Sequence, residues 1–334
     1  MEGTVVTTSI VAENVSRPLP VPQSPAPRHG RNQSWVAWVP LLVLPLVCMA
    51  FRSVFVSWAF MWLLAGTIFA GCKWQTWWET APESKRSWRR SAAYLLLWPG
   101  MNAEQFLNPS WKNSTEWTTV TRSTNWTKST KRSVQPREWS MAFVNTLAGA
   151  ALIAVASRTL LASHPLLSGW IAMIGIVLLL HFGTFQLISL AWQTAGVDAE
   201  PIMRHPLRSE SLGELWGRRW NVGFRDLSHK LVFRPLRRRY GLATATLAVF
   251  LVSGLLHDLV ISVPARAGYG LPTIYFLIQG LGVIFERSQP GKRLGIVGGI
   301  KGRVWTATIA LGPIALLFHP WFVTRVIVPF LHAI

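Results

Sequence analysis

The feature that most constrains this chain is the recurrence of long stretches free of Asp, Glu, Lys and Arg. They run Trp35–Phe51, Ser53–Cys72, Trp139–Ser157, Thr159–Val197, Gly241–His257, Ala267–Phe285 and Val304–Thr324. A helix that crosses a bilayer needs about 20 mostly apolar residues, and several of these windows reach that length. Thr159–Val197 holds the end of one span and a whole second one, with His164-Pro165 and Ser168-Gly169 as the turn between them. The last window is expected to break at His319-Pro320 into two short passes. The count is eight spans in an all-α, polytopic membrane bundle. Ala92–Met101 is too short to cross and ends in Pro99-Gly100, which suits a re-entrant or interfacial segment. A soluble core helix would show a polar face at period 3.6, and Ile171–Leu180 has none.

Composition agrees. Only 14% of the 334 residues are charged, against about a quarter in soluble domains, and half are hydrophobic, which excludes a disordered chain. Many of the 19 tryptophans sit at window ends, among them Trp35, Trp74, Trp98, Trp192 and Trp321, where indole favours the headgroup level. The two cysteines, Cys48 and Cys72, are too few for a disulfide framework or a four-thiolate metal site.

The formal charge of +19 is divided among four short loops. These lie within Lys73–Arg90, Lys112–Arg137, Arg204–Arg239 and Lys292–Arg303, whereas the opposing connections around His164 and Pro264–Gly270 contain only Arg266. With eight spans every basic loop falls on one face, and the positive-inside rule makes that face cytoplasmic, together with both termini. Nucleic-acid binding is disfavoured, because the charge is dispersed and no binding motif appears. Residues 1–34 form a polar, Pro-rich tail with no secretory signal, expected to be disordered, ahead of one membrane-embedded domain over 35–334. The Asn-X-Ser/Thr triplets at Asn14, Asn32, Asn113 and Asn125 fall on the cytoplasmic side in this topology and are chance matches.

Two places combine membrane depth with reactive side chains. His257 lies in the run Ser253-Gly254-Leu255-Leu256-His257-Asp258 and stands 16 residues past Gly241, or ~24 Å along a helix that starts there. An ionisable residue at such depth marks a functional site by default. Its imidazole is expected in the neutral form, which accepts a proton; a core histidine bonded to a backbone carbonyl is the alternative. The second place, Leu215-Trp216-Gly217-Arg218-Arg219-Trp220-Asn221 and on to Arg225, mixes aromatics with Arg as an amphipathic helix in the interface plane does. Such a helix suits lipid headgroups or a phosphorylated cosubstrate. Asn221 is the odd member, since its amide can orient a carbonyl or an imidazole.

Together, LWGRRWN (Leu215–Asn221) and SGLLHD (Ser253–Asp258) resemble the membrane-bound O-acyltransferases, and most closely the wax synthase branch, the long-chain-alcohol O-fatty-acyltransferases. The resemblance also takes in His181-Phe182-Gly183 through Pro201 and passes beyond Leu271–Arg287, roughly the C-terminal half. Asp258 departs from it, since that branch more often has Glu there. The Asn motif of the related diacylglycerol acyltransferases is spelled differently, which points away from triacylglycerol synthesis.

The resemblance implies acyl transfer from acyl-CoA to a long-chain alcohol, with His257 catalytic and Asn221 its polar partner. Arg218, Arg219, Trp220 and Arg225 are then expected to hold the CoA, while His181, Ser253 and Trp216 line the substrate tunnel. No permanently bound cofactor or metal is expected. Ser253, four residues before His257, is a rival candidate as an acylated nucleophile. Glu286 and Arg287 are expected to form an ordinary interfacial pair at a span end. Two other functions stay open: the same chemistry on a sterol, secondary-metabolite or cell-envelope hydroxyl, and a transport or lipid-binding protein, although no internal repeat of the transporter kind appears.

Overall fold

The computed structural model describes residues 35–80, 84, 87–107 and 134–334. The tail 1–34, the stretch 108–133 and all four Asn-X-Ser/Thr triplets lie outside the described residues. Those described are helical or connect helices, with no strand among them. Ten helices frame the fold: α1 (Val39–Ala50), α2 (Ser57–Glu79), α3 (Trp88–Leu97), α4 (Ala103–Leu107), α5 (Pro136–Leu160), α6 (Pro165–Thr194), α7 (Val222–Ala265), α8 (Leu271–Arg287), α9 (Gly299–Leu317) and α10 (Pro320–Ala333).

Local chemistry sets several starts. Proline stands at the first turn of α5, α6, α8 and α10, where its fixed φ suits a helix and its missing N–H costs nothing. The α5 start adds a reciprocal cap between Gln135 and Glu138. Before α8, Gly268 and Gly270 take φ +71° and +84°, a backbone region open to glycine.

By length and hydropathy α5, α6 and α7 can cross a membrane, and α9 with α10 forms one further candidate, bent by 55°. That bend falls at His319-Pro320, as the sequence predicts. Of the remaining windows, α1 is a short apolar helix of 12 residues, α8 has 17, and α2 carries Lys73, Gln75 and Glu79 in its last turns. Ser168-Gly169 does not form the expected turn. Both lie inside α6, where the Ser168 hydroxyl donates to the Ala156 carbonyl at 2.7 Å and the bare Gly169 makes room for Val323. Only His164-Pro165 supplies the break.

Between helices with no water to expel, close approach through small residues is the main source of packing energy. The α5–α6 contact is built this way: a Cβ on Gly149 would stand 2.6 Å from the Gly175 carbonyl, and one on Gly175 would stand 2.8 Å from the Gly149 carbonyl. The α7–α8 contact repeats the device at Gly254, against the backbone of Thr273, and at Gly280, against the Phe250 ring. The main apolar cluster joins Met61, Met173, Phe250, Phe276 and Val323 from α2, α6, α7, α8 and α10.

Gly175→Leu should therefore lower the thermal unfolding temperature in detergent by an amount equivalent to about 1–3 kcal/mol, because the clash is with backbone. The same substitution at Gly66, where a Cβ would meet nothing within 4 Å, should leave it nearly unchanged.

Candidate active site

The helix that carries His257 does not run unbroken from Val222. Gly241 interrupts it with φ +84° and ψ 179°, so the stretch leading to His257 begins at Gly241, as the depth argument assumed. His257 is partly buried. Its Nδ1 lies 2.7 Å from the Ser253 carbonyl. A carbonyl can only accept, so Nδ1 must carry the proton; a neutral ring then presents an unprotonated Nε2. No protein group among the described residues bonds to Nε2. Among the described residues no hydrogen bond joins the Ser253 hydroxyl to the imidazole, whose Nδ1 is taken by the Ser253 carbonyl, so the contact that would activate the hydroxyl as a nucleophile is not formed.

Asp258, next in the chain, serves the turn rather than the imidazole. Its carboxylate accepts from the Gly270 N–H at 2.8 Å, the Ser262 hydroxyl at 2.9 Å, the Thr273 N–H at 3.1 Å and the Thr273 hydroxyl. It thereby ties the end of α7 to the start of α8.

The Leu215–Arg225 segment is not the single amphipathic helix that was expected. A helical turn over Leu212–Glu214 opens into a wide turn over Leu215–Arg219, and α7 begins afresh at Val222. The break is Asn221, in the left-handed region at φ +42° and ψ 60°, which Asn tolerates better than most residues. Its Oδ1 caps the new helix by accepting from Phe224 N–H at 3.2 Å. The cap occupies the acceptor end of the amide, and the Nδ2 donors have no protein partner among the described residues.

A row of rings links the two motifs. His257 lies 4.4 Å from the Phe276 ring centroid, Phe276 5.8 Å from Trp216, Trp216 6.3 Å from Trp220, and Trp220 6.3 Å from His181 in a stacked arrangement. Four of the sequence candidates (His257, Trp216, Trp220 and His181) thus share one aromatic wall. No hydrogen bond joins Asn221 directly to His257.

The arginines separate. The Arg219 guanidinium donates from Nη2 at 2.6 Å and from Nε at 2.8 Å to Glu214 Oε1, and also to the Arg204 and His205 carbonyls. It is committed to holding the loop. Arg225 lies 3.1 Å from the Asp226 carboxylate. Arg218 is exposed, with no carboxylate partner among the described residues.

Sequence reasoning passed over Phe276 and Gln279. Gln279 is fully buried; it accepts from the Trp216 indole at 3.3 Å and donates to the Ile309 carbonyl at 2.7 Å. A lone amide in the charge-free window Ala267–Phe285 was its signal. Glu286 is a correction. Rather than pairing with Arg287 at an interface, it is buried and accepts from the Leu212 and Gly213 backbone and from the Trp305 indole.

A model of the membrane bound O-acyl transferase family matches residues 199–278, the segment that holds both Asn221 and His257. The match is confined to that segment; together with the three helices long and apolar enough to cross a membrane, it supports a membrane protein. Among characterised proteins it is 33% identical over 101 residues to the long-chain-alcohol O-fatty-acyltransferase of Simmondsia chinensis, covering 28% of this chain and 29% of that protein. The probable long-chain-alcohol O-fatty-acyltransferases 7 and 3 of Arabidopsis thaliana are each 31% identical, over 27% and 30% of this chain. The chain spans about a third of the length of these relatives, 29–33% of each.

The loop before the site also carries an acid-sensitive tie. Arg303 and the Gly299 N–H, at 2.8 and 2.9 Å, hold the Glu210 carboxyl below the usual carboxylate range. A lowered folded-state value stabilises the fold above the ordinary value of 4.5 and loses that contribution as pH falls through the lowered one. Thermal unfolding of Glu210→Gln should therefore lie below that of the unsubstituted chain near neutrality, and the gap should close in strong acid.

Proposed function

We propose that this protein is a membrane-embedded O-acyltransferase that moves a fatty acyl group from acyl-CoA to the hydroxyl of a long-chain alcohol, forming a wax ester. The observation that carries the reading is the complementary state of two side chains in the family-matched segment: His257 keeps an acceptor lone pair on Nε2, and Asn221 keeps donor N–H groups on Nδ2.

In this reading His257 Nε2 takes the proton of the alcohol as its oxygen attacks the thioester carbonyl carbon. The carbonyl oxygen becomes an oxyanion, which the Asn221 Nδ2 stabilises as a donor. The carbon–sulfur bond then breaks, the imidazolium returns its proton to the departing sulfur, and ester and free CoA leave. Apposition of His257 and Asn221 is completed by the substrate, whose reacting carbon sits between them beside the Phe276–Trp216 wall. The printed names of the Simmondsia and Arabidopsis relatives support the long-chain alcohol as acceptor.

The bilayer context belongs to the same proposal. α1, α2, α5, α6, α7, α8, α9 and α10 make eight passes, the short ones included, with the basic loops cytoplasmic. CoA is a cytosolic polyanion, and Arg218, with Trp220 and Arg225 behind it, meets its phosphates on that face. The acyl chain and the alcohol come from the lipid side along the His181–Trp216 wall, where water that would hydrolyse the thioester is scarce.

Purified protein in nanodiscs, given radiolabelled palmitoyl-CoA and hexadecanol, should form the ester. His257→Gln should lower kcat by about 10²–10⁴-fold, and full activity in that variant would overturn the base assignment. Asn221→Asp keeps the Oδ1 cap and exchanges the donor for an acceptor, so it should stay folded and lose about 10²–10³-fold in kcat. A panel of sterol and sugar acceptors that outperform hexadecanol would replace the substrate.

The arginines should differ in kind. Arg218→Ala should raise KM for acyl-CoA with the unfolding temperature unchanged. Arg219→Ala should lower the unfolding temperature, because Glu214 and two carbonyls lose their shared donor.

A further inference from the structure

One stripe of α8 touches both halves of the site. Phe276, Gln279 and Glu286 stand at i, i+3 and i+10, all buried, and so recur on one face of the helix. Phe276 packs on His257 and Trp216. Gln279 accepts from the Trp216 indole. Glu286, about two further turns along, grips the start of the same loop, accepting from the Leu212 N–H at 2.5 Å and the Gly213 N–H at 3.0 Å, with the Trp305 indole of α9 at 3.0 Å. Between them Gly282 has no side chain because the Leu212 methyl occupies its place; a Cβ there would lie 2.5 Å from Leu212 Cδ1.

A carboxylate removed from water is costly unless its lone pairs are filled. Here they are filled by donors from two separate elements, the loop and α9. Such an arrangement holds register more than it adds stability. From Leu212 the loop is stiff: Trp220 N–H returns to the Leu215 carbonyl at 2.8 Å, Arg204 N–H meets the Arg219 carbonyl at 2.8 Å, and Val222 N–H meets the Ile202 carbonyl at 3.0 Å. A shift at Leu212 and Gly213 is therefore carried to Trp216 and on to Asn221 rather than absorbed.

We propose that Glu286 is a positioning residue for the acyl transfer: its carboxylate, holding Leu212, Gly213 and Trp305, fixes where the Trp216–Asn221 loop stands relative to His257. This rests on the acyltransferase reading above and on the α8 geometry. Glu286 lies beyond the family-matched segment and touches no reacting atom.

The test is Glu286→Gln in the full chain. The amide keeps the shape, but its N–H₂ faces one of the three donors. Expected are a fall in kcat on the order of ten- to a hundredfold, KM values for palmitoyl-CoA and hexadecanol that scarcely move, and faster hydrogen exchange over 212–221 alone. In the Asn221→Asp background the same substitution should add little further loss, since the group being positioned is already gone. Equal losses in both backgrounds, or unchanged exchange over 212–221, would overturn the proposal. Should Glu286→Gln fail to fold, Trp305→Phe removes one donor without touching the carboxylate, and unchanged exchange over 212–221 there is equally fatal. The exchange arm needs no activity, so absence of ester from the unsubstituted protein would sink the acyltransferase reading and leave the positioning claim to be judged by itself.

Discussion

Away from water, a helix must satisfy every backbone donor and acceptor within itself, and that requirement shapes the whole molecule. A regular helix meets it but offers nothing to a substrate. Chemistry is possible only where regularity is relaxed and side chains make good the difference. The proposed site is built from such places. His181 lies in a wide turn over Leu178–Thr184, Trp216 in another over Leu215–Arg219, and His257 is followed directly by a third over Asp258–Ser262. Asn221 interrupts the chain outright and repairs the break with its own Oδ1. Insertions of this kind are frequent at functional positions because they re-aim side chains without opening the helix to solvent.

The same requirement fixes the imidazole. Four residues earlier on the same turn, the Ser253 carbonyl is the partner within reach of Nδ1, and it dictates the tautomer. The sequence reading set two alternatives against each other: a catalytic base, and a core histidine bonded to a backbone carbonyl. The geometry shows them to be compatible. One nitrogen makes the structural bond, and that bond is what leaves the other free.

Much of the fold was legible because apolar runs are long and chemically simple. The break at His319-Pro320, the helix restart at Gly241 and the pair of helices inside Thr159–Val197 all follow from local residue types, through proline, glycine and hydropathy. The misreadings share a cause. Ser168-Gly169 looks like a turn in one dimension and is a packing notch in three, where Gly169 admits Val323 from α10. Arg219 looks like a phosphate ligand beside Arg218, yet Glu214 five residues earlier claims it. Glu286 looks like a span-end charge until Leu212, distant in sequence, is placed against it. Charge and polarity can be read along a chain. The partner that uses them up is set by how the backbone folds, across a wide turn for Arg219 and from another element for Gly169 and Glu286.

The residues proposed to do the chemistry are distinct from those that hold them. The family-matched stretch 199–278 contains Asn221, His257 and the rings between them, and part of what fixes it comes from elsewhere. Glu286 and Trp305 secure the beginning of the loop. Its end is backed from the other side, where Gly223 lies so close to the Pro99–Met101 turn that a Cβ would meet the Met101 nitrogen at 3.2 Å. That turn is held in place by Lys73, a buried side chain whose Nζ donates to the Gly100 carbonyl at 2.7 Å and sits over the Tyr94 ring at 3.1 Å. Two buried ionisable side chains, on α2 and α8, thus brace the two ends of one loop. Each is matched by neutral donors, acceptors and rings, so neither depends on the other, and both can be fixed at once. For the proposed reaction, whose donor and base stand on either side of the Gly241 break, that double fixing is what would keep them in reach of one carbonyl carbon.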